Sequence, residues 1–207
     1  MRAVALAIKR AIDIAGALFG LTVFAIPMAV IAAAIKLDSK GPVFFLQERV
    51  GRHGRVFRIF KFRTMVPGAV SMAGGITTWR GDPRVTRVGR LLRDKGLDEL
   101  PQFINVLVGD MSLVGPRPTV PDQVAKNPER HRRRLTVRPG VTSLPVVVAR
   151  NRLSWNRKIE LDEEYIDRWS LWLDVKILVQ TIWVAIATRE GEFKADMEHD
   201  PLNEVRK

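Results

Sequence analysis

Cysteine is absent from this chain. That excludes disulfides, thiolate catalysis and Cys-ligated zinc, and it accords with a reducing compartment. Histidine is scarce. His53, His131 and His199 are the only three, and no two stand at metal-ligand spacing, so a histidine-dependent triad or zinc centre is a poor fit. Acidic residues are outnumbered, 22 Asp+Glu against 34 Lys+Arg, which leaves a net charge of +12 over 207 residues. Such a surface favours anionic partners: nucleic acid, anionic lipid headgroups or phosphorylated substrates. Internal repeats and low-complexity segments are also missing. The length suffices for one domain with a real core, plus an anchor.

One long apolar run is present. Ile14 to Ile35 carries no charge over 22 residues, and as a helix it is about 33 Å long, enough for a bilayer core. A cleavable signal peptide does not fit, because the run is too long and Lys36-Leu37-Asp38 stands where small residues are needed. Pro27 lies near the middle, where it removes a backbone hydrogen bond and bends a helix. Both flanks are basic: Lys9 and Arg10 before, and Lys36, Lys40, Arg49, Arg52 and Arg55 after. The positive-inside rule draws both ends to the cytoplasm. A helix that enters, breaks at Ile26-Pro27 and returns fits these residues. A single-pass anchor with a tolerated proline fits them as well.

Residues 43–50 and 55–63 are aromatic and β-branched runs around Gly51-Arg52-His53-Gly54, which predicts a β-hairpin. Lys61 and Arg63 are two apart and share a strand face, where they could grip a phosphate or stand in solvent. Residues 66–81 are rich in Gly and small residues and read as a mobile loop, a candidate lid. Asp82-Pro83 predicts a helix start and Gly96 its stop. Arg84, Arg87, Arg90 and Arg93 spread over half of that helix, as surface or headgroup contacts, with Arg93 nearest the acids that follow. Phe103 to Val108 continues as a short apolar helix ended by Gly109-Asp110. Arg117 stands between two prolines in Gly115-Pro116-Arg117-Pro118. They lower the entropy cost of fixing a guanidinium suited to bidentate phosphate contact. Arg130, Arg132, Arg133, Arg134 and Arg138 form a basic stretch suited to anionic lipid. Residues 171–187, with Trp172 and Trp183, read equally as an interfacial helix or a core helix. The polar residues 189–207 read as a loose tail.

The sharpest constellation is Leu97-Asp98-Glu99-Leu100-Pro101-Gln102. Pro101 disfavours helix at Leu100 and starts one well, so the carboxylates are placed at or just before a helix N-terminus. Free N–H groups there favour anions. Two adjacent acids repel unless a cation bridges them, and hard oxygen ligands suit Mg2+. An aspartate can also attack phosphorus to give an acyl phosphate. Taken alone, however, the pair reads more readily as helix N-terminal acids that complement the dipole.

Lys9-Arg10-Ala11-Ile12-Asp13-Ile14, the break at Pro27, Gly41-Pro42-Val43-Phe44-Phe45, Gln47-Glu48-Arg49-Val50-Gly51, Phe60-Lys61-Phe62-Arg63-Thr64-Met65 and Asp82-Pro83-Arg84-Val85-Thr86 form a series. Leu97 to Gln102, Gly109-Asp110-Met111-Ser112-Leu113-Val114-Gly115-Pro116-Arg117-Pro118, Arg138-Pro139-Gly140-Val141-Thr142 and Leu153-Ser154-Trp155 continue it. In this order, over roughly 9–185, the chain resembles the bacterial sugar transferases, the small monotopic phosphoglycosyl transferases, in a length like their minimal catalytic form.

The resemblance implies an α+β fold, mostly helical with a small β-hairpin, a re-entrant N-terminal membrane helix and interfacial amphipathic helices. It implies a membrane segment at 1–40, a catalytic domain at 41–188 on the cytoplasmic face of the bacterial inner membrane, and a tail at 189–207. The implied reaction moves a sugar-1-phosphate from a UDP-sugar to a polyprenyl phosphate, usually undecaprenyl phosphate, and releases UMP. Asp98 attacks the sugar-linked phosphate and forms a covalent phosphosugar intermediate. Glu99 assists, Asp98 and Glu99 hold Mg2+, and Lys61, Arg63, Arg93 and Arg117 bind substrate. Implied partners are the UDP-sugar, the polyprenyl phosphate and membrane lipids, with no nucleic acid; sugar, pathway and oligomeric state are left open.

The chain departs from the common pattern in three places. Ile26 stands where Ser often precedes the breaking proline, Gly96 replaces a frequent Ser, and Ser143 to Arg150 lacks the usual Gly, Gln and Gly positions. Two rivals remain in the sequence. A membrane-anchored nucleic-acid binder would use the arginines and bind in a salt-sensitive way, but leaves Asp98-Glu99 without a role. An inactive scaffold of the same fold would explain the altered 143–150 stretch but not the intact acids.

Overall fold

The structure, a computed structural model, describes residues 2–72, 75, 78, 79, 81–149 and 153–187. The tail expected at 189–207, Arg150 and parts of the 66–81 loop lie outside the described residues. The expected hairpin is present. Strands β1 (Phe44–Val50) and β2 (Val56–Phe62) pair antiparallel from Val50↔Val56 to Phe44↔Phe62. The connecting turn puts His53 at φ 58 and Gly54 at φ 78, a left-handed conformation that costs glycine little. Strand alternation sends Phe57 and Ile59 into the core.

Helices α1 (Arg2–Val23) and α2 (Ala25–Asp38) meet at a 59° bend. The bend falls at Val23-Phe24, one turn before the expected Ile26-Pro27. A proline ring clashes with the carbonyl four residues back, which for Pro27 is that of Val23. Pro27 itself occupies the first turn of α2, where a missing N–H costs little. Among the described residues no single helix is long and apolar enough to cross a membrane; only the bent pair, taken together, reaches that length and apolarity.

Both ends of this pair are fastened to the rest of the chain. In α1, Asp13 is buried and accepts from Ser112 Oγ and the Leu113 N–H, both at 2.9 Å. Lys9 donates to Asp174 and the Val114 carbonyl, and Arg10 to the carbonyls of Val106 and Leu107. Lys9 and Arg10 therefore bind specific acceptors as well as flanking the apolar run. Gly16 and Gly20 let α1 approach closely, because a Cβ there would stand 2.6 Å from Leu113 and 2.8 Å from Phe103. At the other end Arg63 caps α2, donating to the carbonyls of Ile35, Ser39 and Lys40. Between these anchors the apolar side chains of Leu18, Phe19, Val23, Ile26 and Val30 are exposed.

Helix α3 (Arg87–Lys95) starts later than expected. Thr86 is its N-cap, accepting from the Gly89 N–H, and Asp38 accepts from the Val88 N–H. Asp82 instead forms a buried ion pair with Arg84. Arg84 also donates to the carbonyls of Ala69 and Gly75 and lies over the Trp79 ring. This arginine, expected on a helix surface, is thus the internal tether of the 66–81 loop. Arg87 and Arg90 are exposed as expected. Gly96 ends α3 in the left-handed conformation (φ 67).

Helix α4 (Gln102–Val108) ends at Gly109, as expected. Its fully buried Asn105 accepts from the Phe60 N–H and donates to the Arg58 carbonyl, which locks α4 onto the edge of β2. Strands β3 (Ser112–Val114) and β4 (Gly140–Thr142) pair in parallel. Glycine is required at 140, where a Cβ would lie 2.1 Å from the Gly115 nitrogen. The short helices α5 (Pro121–Lys126), α6 (Pro128–His131) and α7 (Leu144–Ala149) precede α8 (Trp155–Arg168) and α9 (Leu171–Ala187).

Two apolar clusters result. One joins Ala17, Phe57, Ile59, Val106, Met111 and Ile177; the other joins Ile35 to Phe62 and Leu92. Helix α9 packs on the core with one side and leaves the other exposed. Ile177 and Asp174 are buried on one side, while Trp172, Val175, Val179, Ile182 and Trp183 form an exposed apolar stripe on the other.

Candidate active site

Asp98 and Glu99 lie on a 3-10 turn, Leu97–Glu99, wedged between the left-handed Gly96 and Pro101. The N–H groups of Glu99 and Leu100 bond to the carbonyls of Gly96 and Leu97. Leu100 is helical despite preceding proline, because the turn runs directly into α4. The expected cradle of free helix N–H groups is therefore not what surrounds the acids. Side chains do that work instead.

Glu99 accepts from Lys61 Nζ at 2.6 Å, from Arg117 Nη2 at 2.5 Å and from Arg117 Nη1 at 3.3 Å. Burial alone would raise its pKa, but the two cations outweigh burial and hold it well below the usual carboxylate range. Asp98 is buried, 5% exposed, and faces a cleft of about 410 Å3. Lys61, Arg93, Arg117 and Arg49 line the same cleft. The Asn105 lock explains the meeting: it registers α4 against β2, so the turn before α4 comes beside Lys61, one residue after Phe60.

Of the expected phosphate-binding residues, Lys61, Arg93 and Arg117 are brought together and Arg63 is not. Arg63 is buried and its donors bond the end of α2, outside the cleft lining. The strand ends at Phe62, so the face shared by alternate residues no longer holds at 63. Arg93 donates through Nε to Thr64 Oγ1 at 2.8 Å. Gly89 permits this contact, since a Cβ there would fall 2.0 Å from the Thr64 carbonyl oxygen. Val70, Gly75 and Thr78 of the 66–81 loop line the cleft from one side.

Two cleft residues were missed. Arg49 lies in β1, and its signal is the alternation that puts Phe45, Gln47 and Arg49 on one strand face, the face that Lys61 shares through its pairing with Phe45. Arg134 was read as a lipid-facing member of an arginine run but is buried. It donates to Asp162 at 2.8 Å, Thr119 Oγ1 at 2.9 Å, the Arg117 carbonyl at 2.7 Å and His131 Nδ1 at 2.9 Å. Arg132 and Arg133 remain exposed. Burial pushes Asp162 up to about 6 against the pull of Arg134.

Arginine has no acceptor, so His131 Nδ1 must accept and the ring is neutral. Burial, then Arg134 and Arg130, push its pKa down from 6.5 to about 4. An unfolded chain takes up that proton near pH 6.5 and the folded chain does not until about 4. This contribution to stability is therefore complete above pH 6.5 and is lost as pH falls toward 4. Asp162, raised to about 6, contributes in the opposite sense below that pH. The effect is therefore read as the stability of the wild type minus that of His131→Gln, which should fall by about 1.4 kcal/mol per pH unit at the steepest between pH 6.5 and 4. A difference that does not change with pH removes His131 as its source.

Asp98 and Glu99 are the candidate Mg2+ ligands. An ionised carboxylate has about four acceptor positions, and Lys61 and Arg117 occupy two on Glu99 Oε1 and one on Oε2. Oε2 keeps one, and Asp98 is its chain neighbour. Magnesium commonly takes one or two carboxylates and completes its shell with phosphate oxygens and water. The pair fits that pattern. Among the described residues no cluster of three or more His, Cys, Asp or Glu occurs, so an all-protein cage is not the pattern here.

Comparison with known proteins follows the same lines. The profile of a family described as bacterial sugar transferase matches residues 4–188. A UDP-N-acetylgalactosamine-undecaprenyl-phosphate N-acetylgalactosaminephosphotransferase of Aeromonas hydrophila is 46% identical over 181 residues, 84% of this chain and 43% of its own length. An undecaprenyl-phosphate glucose phosphotransferase of Komagataeibacter xylinus is 43% identical over 196 residues, 88% of this chain and 36% of its own length. The uncharacterized sugar transferase EpsL of Bacillus subtilis (strain 168) is 42% identical over 175 residues, 84% of this chain and 85% of its own length. The chain thus spans about two fifths of the first two relatives and most of the third.

Proposed function

Because this chain belongs to the bacterial sugar transferase family, we propose that it transfers a sugar-1-phosphate from a UDP-sugar to a polyprenyl phosphate such as undecaprenyl phosphate, releasing UMP. The observation that carries this reading is the buried Asp98 facing a cleft lined by Lys61, Arg93 and Arg117. That arrangement combines a nucleophile with positive charge for a diphosphate.

An Asp98 carboxylate oxygen attacks the phosphorus that bears the sugar. The bond from that phosphorus to the bridging oxygen breaks, and its electron pair leaves on UMP. A polyprenyl phosphate oxygen then attacks the phosphorus of the aspartyl phosphosugar, the acyl-phosphate P–O bond breaks, and Asp98 returns as carboxylate. Lys61, Arg93 and Arg117 offset the charge on the phosphates, and Glu99 orients Lys61 and Arg117. Asp98 and the remaining position on Glu99 would hold Mg2+, which supplies further charge neutralisation at the diphosphate when bound.

The acceptor is a lipid, and we place the chain on the cytoplasmic face of the bacterial inner membrane. Support comes from the bent α1–α2 pair. Its two ends are fastened to the same body while its apex is apolar and exposed, as a re-entrant helix requires and a single span does not. The exposed stripe on α9 suits the membrane interface. A nucleic-acid binder is less well supported, since Arg10, Arg63, Arg84 and Arg134 bond to groups inside the protein rather than offering charge at the surface.

The test is a panel of UDP-sugars with Mg2+, scored for UMP with and without polyprenyl phosphate. One UDP-sugar should give about one equivalent of UMP without acceptor and continued turnover with it. No UMP from any UDP-sugar would overturn the reading.

A further inference from the structure

Arg49 is a half-buried cation with no direct ion pair among the described residues. Its Nη1 donates to the Pro118 carbonyl at 2.9 Å and its Nη2 to Gln47 Oε1 at 2.6 Å, both neutral acceptors. Its Nε is buried with no partner, and among the described residues no carboxylate lies within ion-pair distance. A guanidinium has five N–H donors, so three of Arg49's are left over. Arg117 stands beside it, one residue before the Pro118 carbonyl that Arg49 holds. Two guanidinium groups facing one cleft repel each other unless an anion lies between them.

The hairpin register shows where that anion belongs. Lys61 pairs with Phe45, and Arg49 lies four residues farther along β1 on the same face. At about 3.4 Å per residue their Cα atoms are separated by about 14 Å, and both side chains line the cleft. Lys61 is bonded to Glu99, next to Asp98, and Arg49 is bonded to Pro118, next to Arg117. Two long side chains reaching in from such a span leave room for a diphosphate, with the attacked phosphate at Asp98 and the other toward Arg49.

We propose that Arg49 binds the phosphate that departs with the nucleoside, and so acts in the first half of the transfer alone. This rests on the donor and order of steps proposed above. The arginine's own titration agrees: burial, then Arg117, push its pKa down to about 10, and the charge of Glu99 offsets them only in part. A departing phosphate between Arg49 and Arg117 supplies negative charge as it develops on the leaving oxygen.

The experiment uses the full chain in detergent or lipid nanodiscs, with Arg49→Gln and Arg49→Lys. Three readouts are taken: protein mass after mixing with the UDP-sugar that the wild type uses, UMP affinity by calorimetry, and discharge of pre-formed adduct by polyprenyl phosphate. Arg49→Gln should slow adduct formation and weaken UMP binding, each about 10- to 100-fold. Adduct discharge should stay within about twofold. Arg49→Lys keeps the charge but loses the fork, and should show the same half-selective loss at smaller size. This variant decides the matter if Arg49→Gln fails to fold. Equal losses in both halves mean a structural role, and a loss confined to discharge means a site for the lipid phosphate. Either result, or no loss, overturns the inference. Failure of the wild type to use any UDP-sugar instead overturns the function on which it rests.

Discussion

Asp98→Asn should abolish the covalent phosphosugar adduct and lower turnover by about 10,000-fold or more, the scale seen when a nucleophile is removed. The amide matches the carboxylate in shape but lacks the charge that attacks phosphorus. The surroundings make the substitution a clean one. Asp98 is buried on a turn set by the left-handed Gly96 and by Pro101, and Glu99 keeps its bonds to Lys61 and Arg117. Affinity for the UDP-sugar should therefore fall only by the share that the Asp98 charge contributes to Mg2+ binding, far less than the chemistry does. Intact mass after incubation with the UDP-sugar, together with UMP release, is the measurement. An adduct that persists in Asp98→Asn places the nucleophile elsewhere.

Arg134→Leu should destabilise the protein by about 3–5 kcal/mol, because it leaves Asp162 ionisable, buried and unpaired. In a domain of this size that corresponds to a fall of about 10 °C in Tm. It should also lower activity, since Arg134 holds the Arg117 carbonyl and Thr119, and with them the loop that presents Arg117 to Glu99. The double replacement Arg134→Leu with Asp162→Leu separates the two effects. Removing both charges should restore most of the stability, as buried pairs replaced by apolar residues commonly do, but not the activity. Thermal melts and UMP release on the single and double variants make the comparison. Full activity in the stable double variant would show that Arg134 does not position Arg117.

The hairpin and α4 were legible because local rules decide them. Aromatic alternation, Gly51 and Gly54, and the Gly109 stop all act within a few residues. The start of α3 was misplaced for the opposite reason. Asp82-Pro83 is a sound local signal, but Asp82 pairs with an Arg84 whose other partners include Ala69 and Gly75, 15 and 9 residues back along the chain. The arginines show the same division. Nothing in their spacing distinguishes Arg132, exposed, from Arg134, buried against Asp162 in α8. Asn105 did leave a trace, one amide within the apolar run Phe103 to Val108, but its partners on β2 are 45 and 47 residues distant.

By itself, then, the sequence determined the elements and the reagents: an interrupted apolar run, a β-hairpin, two adjacent acids before a proline, and a surplus of cations. These depend on composition, periodicity and turn chemistry, which act over a few residues. The tertiary structure alone decided which cations face the acids. Lys61, Arg93, Arg117, Arg49 and Arg134 line the cleft, Arg134 while also holding the Arg117 loop, whereas Arg63 caps α2. A guanidinium looks the same in sequence in either role. Its role is set by which carbonyls and carboxylates chain packing brings within hydrogen-bond reach.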